Sequence, residues 1–422
     1  MSAPILPPAC DDSIHVDLRE VIHALSDALD LVGIDDVAHG KRVGIMAWNC
    51  ALVLQRSRQQ ADFLFDLGLL HDIGVSSTRT HQHLVSEFDW AGSQQHCQDG
   101  ASLLAGFAPL AAMVEPVRYH HTPWQTLSGL DLPLEVAEQA NLIYLVDRVD
   151  AMAAAYYQGG ELLMHTGAIR ERIASYRGSH FAPQLVDAFL QASRAEAFWL
   201  QLEPRGIAGM LHDRRGERHP CTATTTQLKQ LATLFSRIVD AKSPFTARHS
   251  QGVAGLSRWL AERAGLSPGR CDQLEIAALL HDLGKLRVPD EVLDKPGGLD
   301  AHERSLINAH SFETYQILRH ISGFEEIACW AAYHHEEPDG HGYPFHLSGA
   351  SMSLEARILR VADIFQALAQ DRPYRTGLSA AQVLATLQDF AAHGRIDPEI
   401  LAIAAGDMAG AMAAALPVAS SH

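Results

Sequence analysis

Residues 277–284 read AALLHDLG and residues 67–74 read LGLLHDIG, each an apolar helical run ending in a His-Asp pair and a glycine. In the later one the apolar run Ile276-Ala277-Ala278-Leu279-Leu280 leads straight into His281-Asp282. On a helix each residue is turned by about 100° from the one before, so an adjacent His and Asp diverge and can approach a metal ion from two sides. Outward from these stretches, apolar residues recur at helical spacing in Val21-Ile22-Leu25-Leu29, Leu228-Leu231-Leu234-Ile238 and Val253-Leu256-Leu260. Period-two alternation of β-branched residues is scarce. Turn formers such as Lys295-Pro296-Gly297-Gly298 and Asp339-Gly340-His341-Gly342 punctuate the helical segments. The expectation is an all-α fold.

The two stretches belong to a long internal repeat. His249 precedes His281-Asp282 by 32 residues, followed by His310, His334-His335 and Asp363. His39 precedes His71-Asp72 by 32 residues, followed by His96, His120-His121 and Asp147. The third element lies 24 residues before the His pair in both halves, and IYLVDRVDAMA answers ILRVADIFQAL around the last Asp. A repeat of this length is a domain duplication, not a solenoid unit. We therefore expect two tandem helical domains, residues 1–215 and 226–415, separated by a polar, helix-poor stretch from Arg205 to Thr225.

Taken singly these residues say little. A lone His is more often a hydrogen-bonded core residue than a ligand, and an isolated His-Asp dipeptide carries no information. The ordered set, present twice, points to metal. Imidazole and carboxylate without thiolate suit Fe, Mn, Co or Zn, and a carboxylate can bridge two ions. Two ions about 3.5–4 Å apart stabilise both the attacking and the leaving oxygen of a phosphoryl displacement.

Composition narrows the function classes. A chain of 422 residues with formal charge −17 lacks the broad basic face that long nucleic acid requires, although metals and a few local cations can still create an anion pocket. The six cysteines show no CxxC pairing, the first residues lack a secretory pattern, and the apolar stretch Leu401–Ala419 is broken by Asp407. These features lead us to expect a cytoplasmic protein with reduced thiols and no membrane span.

The second half resembles the HD-GYP domain, a branch of the HD metal-dependent phosphohydrolase superfamily. The resemblance rests on HDLGK (residues 281–285), HHEEPDGHGYP (334–344) and RVADIFQALAQDRPYR (360–375). It implies an all-helical domain with a two- or three-metal centre, often iron, that opens cyclic di-GMP to pGpG or GMP; some members prefer cyclic GMP-AMP. It further implies that His249, His281, Asp282, His310, His334, His335 and Asp363 hold metal, with Asp282 at the heart of the chemistry. Lys285 falls on a position that contacts substrate phosphate and assists the leaving oxygen, Arg372 and Arg375 fall on phosphate-binding positions, and Tyr343 lies at the pocket rim. The planar donor fork of Arg suits a phosphodiester independently of the resemblance.

Phe245 stands where some members carry a third-metal Glu, so two ions, Fe or Mn, are expected. The first half is expected to be a divergent HD domain. It keeps His39, His71, Asp72, His96, His120, His121 and Asp147, but has Val75 for the lysine, TPWQTLSGLDLP for the GYP loop, and Tyr156 and Gly159 at the arginine positions. Asp35 stands at its third-metal position. We expect it to hold metal without turning over a cyclic dinucleotide, the alternatives being a phosphohydrolase of other specificity and a structural partner. A non-catalytic cyclic-nucleotide-binding protein is the competing reading for the whole chain. A homodimer through the first half follows from duplication alone, with no residue assigned to it.

Overall fold

The computed structural model describes residues 16–33, 38–86, 88, 90, 92–157, 159–216, 222–242, 249–371 and 376–416. Among the described residues helices account for the architecture, and pairing is limited to isolated bridges such as Asp339 with Ser348. The chain forms two compact units, Leu29–His219 and Pro220–His422, the second including Met1–Ala28. The expected first domain thus loses its opening segment. Helix Leu18–Asp30 buries Val21, Leu25 and Ala28, while Ala223 N donates to Val16 O (2.8 Å) and Ser322 N to Glu20 Oε2 (3.2 Å).

The stretch from Arg205 is not helix-poor at its start: residues Pro204–Gly216 form a helix. The polar sequence misleads because Arg214 is buried rather than solvated. Its guanidinium lies 4.0 Å from the Phe65 ring centre and ion-pairs with Asp62 at 2.6 Å.

The Leu29–His219 unit is built on helices His39–Val53, Arg58–Leu70, Ser93–Ala105, Val114–Tyr119 and Leu134–Ala153. Ser57 and Gln60 form a reciprocal capping box that starts the second of these. The first two cross closely because Gly68 faces Gly44. A Cβ on Gly68 would lie 2.5 Å from Gly44 Cα.

The other unit repeats the order with His249–Arg263, Pro268–Leu280, Ala301–Leu318, Glu325–Ala332 and Leu354–Ala369. Ser267, Asp300 and Ser353 cap three of these helices at their N-termini. Arg270 ion-pairs with Glu326 and Glu355, tying three helices together around the fully buried Trp330. No single described helix is long and apolar enough to cross a membrane. Helices Pro398–Gly406 and Met408–Ala415 are apolar enough as a pair but bend by 98°, and Asp407 accepts a hydrogen bond from Gly410 N at the break.

The helix that carries Asp363 is seated by Ile358, Leu359, Val361, Ala362 and Phe365, all without solvent exposure. Truncating one such side chain removes its transfer free energy and leaves a cavity. Leu359→Ala is therefore expected to cost about 2–5 kcal/mol in chemical denaturation, with no loss of helix content before the transition.

Candidate metal centres

In the Pro220–His422 unit two of the candidate ligands, His281 and His334, follow helix C-termini, where backbone carbonyls lack intrahelical partners, His249 opens a helix, and His310 and Asp363 lie within theirs. His281 caps the C-terminus of Pro268–Leu280 and directs Nδ1 at Ala278 O (2.7 Å). His334 follows Glu325–Ala332 and directs Nδ1 at Ala331 O (2.6 Å). His310, inside its helix, directs Nδ1 at Ile307 O (2.5 Å). A carbonyl can only accept, so each of these rings carries its proton on Nδ1 and turns an Nε2 lone pair inward. His249, the first residue of its helix, has Nδ1 2.5 Å from Gln366 Oε1.

The inward atoms divide into two sets around Asp282. Oδ2 of Asp282 lies 3.7 Å from His249 Nε2 and 3.2 Å from His281 Nε2; Asp363 Oδ1 lies 3.3 Å and 3.9 Å from the same two nitrogens. Oδ1 of Asp282 faces the other set, 3.4 Å from His310 Nε2 and 3.7 Å from His334 Nε2. His335 completes that second set.

These separations have a simple meaning. Donors held about 2.1 Å from one ion stand roughly 3.0–3.4 Å apart for octahedral or tetrahedral geometry. The edges of 3.2–3.4 Å fall in that range, those of 3.7–3.9 Å are somewhat wider, and most are longer than good hydrogen bonds. His310 Nε2 and His334 Nε2 face each other at 3.1 Å with both Nδ1 protons already committed. His281 Nε2 and Asp282 Oδ1 are buried without a hydrogen-bond partner. Buried donors in this state fit a cation.

The electrostatics agree. Burial drives the Asp282 carboxyl up, but His281 and Lys285 more than offset it and hold the group ionised, well below the usual carboxylate range. Burial also drives His310 down to about 4 and, with neighbouring imidazoles, keeps His334 and His335 well below the ordinary value. His281 is instead held above its ordinary value by Asp282 against the effect of burial, so the neutral state that metal binding requires is favoured at His310, His334 and His335.

Lys285 is placed beside this cluster, its Nζ 2.6 Å from Asp282 Oδ2. Tyr343 is half-buried, with its ring centre 4.8 Å from that of His335. Gly342 allows the loop to close, since a Cβ there would lie 2.2 Å from Glu337 N. Arg372, Arg375 and Phe245 lie outside the described residues, as does Asp35.

Several supporting residues were not singled out from sequence. Gln366 holds His249, Arg360 links His334 O to Glu337, and Glu336 accepts from Phe345 N and Leu347 N to fix the loop. Gln366 and Arg360 each lie three residues from Asp363, one helical turn away on the same face, and that spacing was the available signal. Gln366→Leu removes the partner of His249 Nδ1 while keeping the bulk. Metal affinity is expected to fall about 10- to 100-fold, read by competition with a metallochromic chelator.

The Leu29–His219 unit assembles the residues expected of it. His39 Nε2 lies 3.3 Å from His71 Nε2, 3.4 Å from Asp147 Oδ1 and 3.7 Å from Asp72 Oδ2. His71 Nε2 is 3.9 Å from Asp147 Oδ1. Oδ1 of Asp72 faces His96 Nε2 (3.3 Å) and His120 Nε2 (3.7 Å), and His121 Nε2 is 3.5 Å from Asp147 Oδ2. As in the other unit, His71 and His120 direct Nδ1 at the carbonyls of Gly68 and Val117, three residues back.

An HD domain family model matches residues 233–400. The chain is 36% identical to 3'3'-cGAMP-specific phosphodiesterase 1 of Vibrio cholerae, over 92% of this chain and 90% of that protein. It is 39% identical to the cyclic di-GMP phosphodiesterase response regulator RpfG of Xanthomonas campestris, over 47% of this chain and 50% of that one. Among solved structures, the cyclic GMP-AMP-specific phosphodiesterase V-cGAP3 of V. cholerae matches with TM-score 0.62 and 26% identity, covering 96% of this chain and 99% of that one. With a likeness that runs nearly end to end and two carboxylate-linked histidine sets inside the matched segment, the chain belongs to the HD-GYP family of metal-dependent cyclic-dinucleotide phosphodiesterases.

Proposed function

We propose that the Pro220–His422 unit hydrolyses a phosphodiester bond of 3',3'-cyclic GMP-AMP at a two-metal centre loaded with Fe or Mn. The observation that carries this reading is the division of Asp282, one carboxylate oxygen to each ligand set. His249, His281 and Asp363 would hold one ion, and His310, His334 and His335 the other. When bound, such a pair supplies Lewis acidity to the attacking and leaving oxygens of the displacement.

The remaining work falls to the chain's own residues. Asp282 and Asp363 supply the negative charge that retains the cations in a buried site. Lys285, beside Asp282, offsets charge on the substrate phosphate and is placed to protonate the leaving oxygen. We assign Arg372 and Arg375 to the non-reacting phosphate oxygens, on the strength of the DRPYR string, and Tyr343 to the rim beside His335. The substrate is a small anion and not long nucleic acid, in keeping with the formal charge of −17. We retain the cytoplasm as the site of action and a homodimer as the assembly to be tested.

The choice of cyclic GMP-AMP over the cyclic di-GMP expected from sequence draws on the relative that matches along nearly the whole chain. Cyclic di-GMP stays as the second reading, because relatives named for it match the catalytic half at comparable identity. Hydrolysis of both by Mn(II)-loaded full-length protein separates them. A kcat/KM for cyclic GMP-AMP about tenfold or more above that for cyclic di-GMP, worth about 1.4 kcal/mol of transition-state discrimination, is the expected result. The reverse ratio would transfer the assignment to cyclic di-GMP.

A further inference from the structure

We propose that the Leu29–His219 unit carries a second dinuclear metal centre, built from His39, His71 and Asp147 on one side and His96, His120 and His121 on the other, with Asp72 between them.

The donor separations repeat those of the other unit. In the order first His to central Asp, first His to last Asp, second His to last Asp, third His to central Asp and fourth His to central Asp, the separations are 3.7, 3.4, 3.9, 3.3 and 3.7 Å. The corresponding separations in the Pro220–His422 unit are 3.7, 3.3, 3.9, 3.4 and 3.7 Å. A polar core held together by hydrogen bonds contracts to about 2.7–3.2 Å between partners. This one stays open at 3.3–3.9 Å, as its counterpart does.

The donors point the same way. Nδ1 of His71 is committed to a carbonyl and Nδ1 of His39 to the Asp150 carboxylate, so both Nε2 atoms turn inward, 3.3 Å apart. One proton could serve those two nitrogens, while Asp147 Oδ1 and Asp72 Oδ2 stand 3.4 and 3.7 Å from His39 Nε2, beyond good hydrogen-bond range. Asp72 Oδ1, facing the other set, is buried and makes no hydrogen bond. A divalent ion on each side satisfies all of these atoms at once.

The unit also has a support for the centre that its counterpart lacks. Where His249 meets the neutral amide of Gln366, His39 meets Asp150 at 2.8 Å. That carboxylate is kept ionised by Arg42 (2.7 and 2.8 Å) and a hydrogen bond from Tyr157 Oη (2.6 Å). A carboxylate behind an imidazole fixes its tautomer and raises its basicity as a ligand. A small pocket open to solvent borders His39, His71 and Asp72. Its described lining includes Val75 and no lysine or arginine, and the nearby Arg148 is engaged by Asp147 Oδ2 at 2.8 Å.

Metal content of the full-length chain decides the matter. After loading with excess Mn(II) and desalting, we expect about four ions per chain by mass spectrometry, two per centre. We expect about two in His71→Ala/Asp72→Ala, about two in His281→Ala/Asp282→Ala, and none when all four changes are combined. About two ions in the unaltered chain with none left in His281→Ala/Asp282→Ala would overturn the proposal. Two ions lost only with His71 and Asp72 would instead sink the assignment of the other unit. Because the double change could unfold its unit, Asp150→Asn provides a second test. Two of the ions should bind about 10- to 100-fold more weakly while the other two are unaffected, and four unchanged affinities would count against the proposal.

Discussion

Asp282→Asn is expected to cut cyclic-dinucleotide hydrolysis by about a thousandfold or more, which corresponds to about 4 kcal/mol of transition-state stabilisation. The substitution keeps the size of the side chain and removes the charge that both ligand sets share. Asp282 is almost fully buried, its Oδ2 faces His249 and His281, and its Oδ1 faces His310 and His334. An amide offers one neutral oxygen and turns an NH2 toward one of the two sets, where Nε2 lone pairs already converge. Metal content should therefore fall together with turnover, while the thermal transition of the metal-free protein moves little. A fully metal-loaded, fully active Asp282→Asn protein would show that the bridging role is misassigned.

Gly284→Ala is the second large effect, and it reaches the site through the backbone. A Cβ at Gly284 would lie 2.1 Å from His310 O and 2.8 Å from Glu313 Cβ. The turn cannot retreat easily, because Gly284 N donates to Thr314 Oγ1 (2.9 Å) and Thr314 Oγ1 donates to His281 O (3.0 Å). The added methyl must therefore push helix Ala301–Leu318 away, taking His310 with it. Overpacking of this kind costs about 1–3 kcal/mol of stability. Displacing a ligand by about 1 Å can cost about a hundredfold in rate. Gly298→Ala, which meets nothing within 4 Å, serves as the control. Equal activity in the two variants would contradict the close-approach reading of the motif glycine.

That glycine shows how far the sequence could be read. The His-Asp-x-Gly string was visible at once in both halves, and in both the glycine proves to sit on the backbone of the third histidine, Gly74 against His96 O at 2.0 Å and Gly284 against His310 O. The residues that cluster in each unit could be picked out because metal chemistry restricts residue type, and duplication displayed the same order twice. Helices were readable from apolar spacing, since most are anchored by one buried face.

What escaped were residues whose role depends on what lies opposite them. Gln366 looks like any polar helix residue until His249 is found 2.5 Å away, and Asp150 likewise until His39 and Arg42 surround it. Arg214 was misleading for the converse reason, its charge being buried against Phe65 and Asp62 in a helix where sequence suggested a linker. The assignment of residues 18–28 to the second unit goes with contacts hundreds of residues apart, such as Glu20 with Ser322, which no local pattern encodes.

The central claim is that the Pro220–His422 unit is the phosphodiesterase. Its most direct test is turnover of cyclic GMP-AMP and cyclic di-GMP by anaerobically Fe(II)- or Mn(II)-loaded full-length protein, comparing His281→Ala/Asp282→Ala with His71→Ala/Asp72→Ala. The account predicts that the first variant folds, loses its metals and loses turnover of both substrates, while the second still hydrolyses the preferred one. A folded His281→Ala/Asp282→Ala protein that keeps turnover, with activity lost instead in His71→Ala/Asp72→Ala, would contradict it.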